Sequence, residues 1–595
     1  MSRFARVLSR WRDGADDGAA LAMTIIIGMV LLVFVGTATA IAVSGTRKSS
    51  HDADWNAAIA AAYAGVEDYK SRLSNDNTYV RYGDPGAVFS AGSDVRLPTE
   101  PNDAFGSGIA GTWASVPGST NGAQFRYEVD NRQYEATGSL RVRSSGRVGD
   151  VVRTIVVNVK QEGFVDYLYF TDYEMTDPIL TKNSRCVPAY AWSSPYNQHP
   201  SYCTDIQFAA NDVINGPLHS NDTVLVCGQT KFRGEFTTAN SVGDLYKKVG
   251  GWSCPGDPVF TVKPKVAKSV GMPKTNSQML SETRTDLDTV QRPGCLYTGP
   301  TIITLTSDGQ MNVKSPFTKQ TRILGEGAAD GSTPPECGAV GTATGQLGSE
   351  AGATIDVIPQ NLIYVQNVPD RSTNVNYWPT TTNPTSFSCT DGNSWLFGSS
   401  VRYPAVDEEV PYASPAHYGC RNGDVYVKGT LDGEVTLAAQ NYIYVTGDLR
   451  YESASDDVLG LVGENSVWVH KPVKCTSWNE DRYGRKTTCS NYENLSSTKD
   501  RRIDAAILSV AHTFIVQNHD KGDGLGTLTV MGAIAQKFRG PVATTGGTGY
   551  VKSYSYDPRF KYMAPPKFLS PVSTTYGVSE IVEVKTAFNP DGSPA

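Results

Sequence analysis

The sequence predicts an α+β N-terminal part, a long helix followed by an antiparallel sheet. A mainly-β region follows, built as a parallel β-helix with disulfide-pinned insertions. Three observations carry this reading. Residues 18–46 form a run of 29 residues without one charge. From residue 207 onward helical periodicity nearly disappears, and short apolar pairs are punctuated by Gly and Asn. Three segments there repeat one another: 355–365 (IDVIPQNLIYV), 435–445 (VTLAAQNYIYV) and 459–469 (LGLVGENSVWV).

A bilayer core of about 30 Å needs roughly 20 apolar helical residues, so 18–46 is long enough to span one. Arg3, Arg6, Arg10 and Arg12 precede it, and Arg47 and Lys48 follow. That imbalance favours a cytoplasmic N-terminus, hence a single-pass membrane protein with its bulk extracellular. Ala38-Thr39-Ala40 has the small-x-small form of a signal-peptide cleavage site. The apolar run exceeds the roughly 7–15 residues of such a peptide. A plain signal anchor remains an alternative. The helical pattern does not stop at the membrane edge. Trp55, Ile59, Ala62, Val66, Tyr69 and Leu73 recur at spacings of three and four on one face, amid alanines of high helix propensity. At ~1.5 Å per residue, one helix from about residue 20 to 74 would be roughly 80 Å long.

A basic leader ending in Gly18, an apolar half-helix and an amphipathic half-helix, in that order, resemble a type IV prepilin. DDGAALAMTIIIGMVLLVFVGTA at 16–38, followed by AIAAAYAGVEDYKSRL at 58–73, is similar to the N-terminal segment of PilX-like minor pilins. The resemblance implies cleavage by a membrane prepilin peptidase between Gly18 and Ala19, and N-methylation of Ala19. It implies other pilin subunits as partners through the helix. Major pilins carry Glu at the fifth mature position; here that position is Met23. The departure points to a rare minor subunit, at a pilus tip, and away from an abundant shaft subunit.

Beyond the helix, 75–123 is loop-like. Strand alternation then appears in QFRYEV at 124–129, LRVRSSGRV at 140–148 and VVRTIVVNV at 151–159, with Gly149-Asp150 as a hairpin signal. The segments expected are a leader at 1–18, the helix at 19–75, a sheet at 76–165, a connector at 166–206, the β-helix-like domain at 207–572 and a tail at 573–595. In the repeats, Asn361, Asn441 and Asn465 hold equivalent places. Asn tolerates left-handed backbone at a corner, and equivalent asparagines in stacked rungs could form a ladder. Repeats of ~20–25 residues made of short strands suggest a solenoid. A β-sandwich also alternates, but it does not explain Asn repeated at one corner. Insertions at 366–422 and 470–502 break the period. DVINGPLHSNDTVLV at 212–226, GAIAQKFRGPVAT at 532–544 and the stretch 549–572 resemble C-terminal parts of large pilus-associated actinobacterial proteins with PilX-like starts.

The ten cysteines are Cys186, Cys203, Cys227, Cys254, Cys295, Cys337, Cys389, Cys420, Cys475 and Cys489. An even number confined to the exported part suits disulfides in an oxidising compartment. No C-x-x-C spacing points to zinc or redox chemistry. Pairing each cysteine with its neighbour is the simplest arrangement, although sequence leaves connectivity open. A net charge of −7 gives no general reason to expect nucleic acid.

Chemistry is sparse. None of His51, His199, His219, His417, His470, His512 and His519 sits in a metal-binding spacing. GGTGYVKS at 546–553 has the wrong spacing for a phosphate loop. Residues 518–524 (NHDKGDG) lack the closing Glu of a calcium loop. β-Helices host polysaccharide lyases that work through carboxylates. Asp407-Glu408-Glu409 and Asp456-Asp457 are the acidic clusters available for such work, and both read more simply as loop charges. The expectation is a structural, non-enzymatic subunit without cofactor or metal. The alternatives are a surface adhesin or glycan-binding module on the same scaffold, for which 30 Tyr and nine Trp supply aromatic faces, and a membrane-anchored polysaccharide-active enzyme.

Overall fold

Alanine-rich sequence without Pro lets the chain stay helical across the boundary between apolar run and polar stretch. In the computed structural model α1 runs unbroken over Asp17–Asn75. The structure describes residues 17–106, 112–183, 185–186, 202–204, 206–210, 212–242, 244–249, 251, 254–325, 327–390, 393–544, 546–572 and 576–595. The chain divides into two compact units. The first takes residues up to 130, 141–158 and 580–595; the second takes 131–140 and 159–579.

In the first unit the C-terminal half of α1 buries Ala58, Ala61, Ala62, Val66, Tyr69 and Leu73. Trp55, expected on this stripe, sits at its rim instead, with the Arg153 guanidinium 4.4 Å from its ring. The stripe packs on a five-stranded sheet. Its strands, in order across the sheet, are β1 (Ala114–Ser115), β2 (Gln124–Asp130), β3 (Ser139–Val148), β4 (Val151–Gln161) and the strand Tyr576–Val584. Within 573–595, expected as a tail, Tyr576–Val584 therefore supplies an edge strand. Glu583 pairs with Arg153 and Glu580 accepts from Asn158 Nδ2 at 2.9 Å, both partners on β4. Beyond the strand, Phe588 lies under the Arg126 guanidinium at 4.1 Å and edge-on to Trp113. These contacts fix a segment whose short alternation and terminal position hid it in the sequence.

The second unit is built of parallel ladders. Strands β5 (Tyr169–Tyr173), β6 (Leu218–Ser220), β7 (Phe236–Thr238) and β8 (Lys265–Val266) stack in that order. The chain then returns through residues 267–294 and builds a second run. Along one face this run places β9 (Cys295–Thr298), β10 (Asn361–Gln366), and, after β11 (Val425–Leu431), β12 (Glu434–Ala439). It continues through β13 (Ile443–Tyr451), β14 (Val458–Gly463), β15 (Val467–Val469), β16 (Arg501–Ser509), β17 (Phe514–Val516) and β18 (Gly524–Phe538). One ladder joins β12, β14, β16 and β18; the next face joins β11, β13, β15 and β17. Every one of these pairings is parallel. One antiparallel insertion within this sheet is Thr301–Leu305 with Gln310–Lys314 and Ala353–Asp356; smaller antiparallel sheets stand apart from it at 322–332, 387–403 and 473–494.

Near the end of the second run β18 pairs with the first strand of the first run: Ile534 faces Tyr169 and Phe538 faces Tyr173, again parallel. The strand Gly549–Tyr556 that follows pairs parallel with β18 and with Val213–Asn215. The apolar core is thereby continuous from Leu168 to Tyr554. Polar groups close the same seam. Gln536 Nε2 donates to Tyr169 Oη at 3.1 Å, His512 Nδ1 meets Asp177 Oδ2 at 2.6 Å, and Lys552 Nζ meets Asp212 Oδ2 at 3.0 Å. Arg539 is buried and donates to the buried Glu174 at 2.8 Å, with its guanidinium 3.7 Å from the centre of the Phe208 ring.

A buried carboxylate deprived of its guanidinium has no water to replace it. Arg539→Leu is therefore expected to cost about 3–5 kcal/mol. The double substitution Arg539→Leu with Glu174→Gln should recover part of that loss. Urea unfolding of the full chain in detergent micelles, followed by near-UV circular dichroism, measures both.

Candidate functional site: the exposed half-helix and the polar corner

Along α1 the side chains from Ala20 to Thr46 are almost all exposed, Met23 at 68% among them. The helix is long and apolar enough to cross a membrane, by length and composition. Its polar atoms are prepared for that. Thr24, Thr37, Thr39, Ser44 and Thr46 each donate their hydroxyl to a backbone carbonyl three or four residues back, at 2.7–3.0 Å. The run thus satisfies its own hydrogen bonds, as hydrocarbon surroundings demand. Gly18 and Ala19 fall in the first turn of α1. The basic leader up to residue 16 lies outside the described residues.

Below the polar stretch 47–54 the helix is clamped to its sheet by small residues. Ser144 Oγ donates to the Ala62 carbonyl at 2.8 Å. A Cβ on Gly146 of β3 would stand 2.1 Å from the Ala58 carbonyl oxygen, so only Gly permits this approach. At the helix end Tyr127 Oη donates to Asp68 at 2.7 Å. Asn102 Nδ2 bonds the hydroxyls of Tyr79 and Tyr127 at 2.9 and 2.7 Å. Tyr69, Tyr79, Phe105 and Tyr127 form an edge-to-face cluster around them.

In the second unit the repeat yields a polar corner between the two faces. Asn465 Nδ2 donates to Asn441 Oδ1, and the Asn465 amide donates to the Asn441 carbonyl at 3.0 Å. Asn361 does not join them. It begins β10, faces Val435, and bonds the carbonyl of Arg292 at 3.1 Å. The shared QN-x-IYV string aligned two places that are not equivalent in space. Asp424 stands in the expected position of Asn361: its Oδ1 accepts from Asn441 Nδ2 at 2.7 Å and from the Tyr442 amide at 3.1 Å. On the other side Thr513 and the Phe514 amide bond Gln536 Oε1 at 3.0 and 2.9 Å. Asp424 and Gln536 share no local motif with the asparagines, so only the stacking reveals them.

The cysteines pair as Cys186–Cys203, Cys227–Cys254, Cys295–Cys337, Cys389–Cys420 and Cys475–Cys489. The last two pin the insertions. Of the acidic clusters, Glu408 accepts from Tyr418 Oη, Gln517 Nε2 and the Ala405 amide. Asp457 accepts from the amides of Gly433 and Ser453. These carboxylates are spent on structure and belong to separate segments. His219 is buried between Thr237 and Asn221. In the loop 518–524 the Lys471 ammonium donates to the carbonyls of Asn518 and Lys521. No group of His, Cys, Asp and Glu placed to hold a metal ion occurs among the described residues.

No protein-family model matches the chain, and no curated protein does. Among solved structures, the competence-associated pilin ComZ from Thermus thermophilus aligns at 11% identity over 89% of this chain and 97% of that chain. Its TM-score is 0.24, too slight to bear on fold or function.

Two outcomes follow from this geometry. Burial pushes the Asp424 carboxyl up to about 7 from 3.8. The folded state holds that proton more tightly than the unfolded chain. The resulting stability is full below about pH 3.8 and is lost as pH rises through about 7. Asp424→Asn, which keeps the acceptor oxygen, should flatten the stability–pH curve across that window in thermal melts. Gly146→Val should lift α1 from the sheet at a cost of roughly 1–3 kcal/mol. It would be read as faster hydrogen exchange at Ala58–Leu73 with the second unit unchanged.

Proposed function

We propose that the chain is a minor pilin-like structural subunit of a type IV pilus or related filament. The observation that carries this is one continuous helix with two environments. Its first half is exposed, apolar and internally satisfied; its second half is buried on an antiparallel sheet. A subunit that waits in a membrane and later packs among other helices needs both halves on one rigid rod. The PilX-like resemblance of residues 16–38 and 58–73 supports the same reading, with prepilin peptidase cutting between Gly18 and Ala19. Met23 in place of the fifth-position Glu favours a specialised place such as the tip. The ladders of parallel strands support a parallel β-helix as the displayed domain, on the extracellular side and held by its five disulfides.

Mass spectrometry of the mature N-terminus tests this. The expected species begins at N-methylated Ala19. A chain that keeps Met1, or one starting near Ile41, contradicts the reading.

A further inference from the structure

The insertion at 470–502 forms an antiparallel hairpin, Val473–Glu480 with Lys486–Asn494, which makes a two-stranded sheet of its own. A two-stranded hairpin is marginal without a core, and this one is exposed from Thr476 to Thr488 apart from Asp481. It is stiffened by other means. Cys475–Cys489 crosses it. Asn479 Nδ2 bonds Thr488 Oγ1 at 3.0 Å, and Asn491 Nδ2 bonds Thr476 Oγ1 at 2.9 Å. In the turn, Asp481 accepts from the amides of Tyr483 and Arg485 at 2.8 and 3.0 Å and from Arg485 Nε at 2.8 Å, while Gly484 takes a φ of 73°.

This rigid tip presents aromatic rings that bury little. Tyr483 is 66% exposed and Trp478 is 41% exposed. The guanidinium groups of Arg482 and Arg485 lie 4.7 and 5.2 Å from the Tyr483 ring, and Lys486 Nζ lies 5.7 Å from the Trp478 ring. Asp481 is consumed inside the turn, and Arg482 has no ion-pair partner among the described residues. The hairpin meets its neighbours at its base, where Lys474 makes a backbone β-bridge with Glu408 and Asn494 Nδ2 donates to the Asp523 carbonyl at 3.1 Å; the ring faces and cations at the tip are exposed.

We propose that this hairpin tip binds acidic polysaccharide. An aromatic face packs against the C–H face of a sugar ring, and a guanidinium beside it pairs bidentately with the sugar's carboxylate. The Asn, Ser and Thr side chains along both strands supply hydrogen bonds for hydroxyls. The composition disfavours a lipid surface: residues 474–494 contain no Leu, Ile, Val, Phe or Met to enter hydrocarbon. It disfavours duplex nucleic acid as well, whose charge every ~1.7 Å calls for several free cations in a row, because Lys474 is held by Glu493 at 3.1 Å and Arg485 by Asp481 at 2.8 Å. What remains fits a single uronate at a time. The inference is independent of how the helix is processed or assembled.

The test is surface plasmon resonance with the full chain in detergent micelles. The surfaces are polygalacturonate, hyaluronate, neutral dextran and phosphatidylglycerol vesicles. Binding to at least one acidic polysaccharide is expected, at least tenfold tighter than to dextran and weakened by raised salt. Tyr483→Ala and Arg482→Ala should each weaken it tenfold or more without moving the melting temperature, while Tyr483→Phe should retain it. No binding to either acidic polysaccharide overturns the proposal. So does binding that both alanine variants leave intact, or binding to the vesicles alone.

Discussion

The second unit depends on the pairing of β18 with β5. Rung order there is not chain order. The first run grows away from β5, and residues 267–294 carry the chain back along the stack. There Asn221 bonds Val270 through both its amide groups, and Asn276 donates to the carbonyl of Ala439 at 2.8 Å. Only when the second run has been laid down does β18 reach β5. That contact removes two open strand edges at once, and open edges are where sheet proteins pair with the wrong partner. It also merges two apolar interiors into one. The Arg539–Glu174 pair sits at this joint, and a buried pair tolerates little misplacement because neither charge has water to fall back on. Closing the seam requires residues more than three hundred positions apart, which places this region among slow, non-local topologies. Disulfides that close local loops shorten the search without fixing the seam itself.

In the first unit the decisive constraint is the close approach of helix to sheet. Ala58, Ala61, Ala62 and Gly65 present a nearly flat surface, and Gly146 and Ser144 meet it. Gly65 is the mirror of Gly146, since a Cβ there would lie 2.4 Å from Ser144 Oγ. With that half of the rod fixed by contact and by the tyrosine cluster, the apolar half is left free of its own sheet and available to lipid or to other helices.

Much of this was legible in the sequence, for physical reasons that can be named. The helix was, because propensity and the three-and-four spacing agree over many turns. The stacking of β12 on β14 and β13 on β15 was, because the 24-residue offset of Asn441 and Asn465 repeats a whole rung. What stayed hidden depends on distant partners. Asn361 shares a string with Asn441, but string identity cannot tell a strand start from a corner. The strand Tyr576–Val584 earns its place through β4, more than four hundred residues earlier in the chain. Asp424, Gln536, Glu174 and Arg539 carry no motif; they become a ladder and an ion pair only when the two runs meet.

On the proposed function, the exposed half-helix is an assembly element and only temporarily a membrane span. Shearing of intact cells, followed by immunodetection of the chain in the released filament fraction and in the membrane fraction, tests it most directly. The account predicts the chain in sheared filaments that lack lipid markers, at a level far below that of the major subunit. Its retention wholly in the membrane fraction, with filaments present and free of it, would contradict the account.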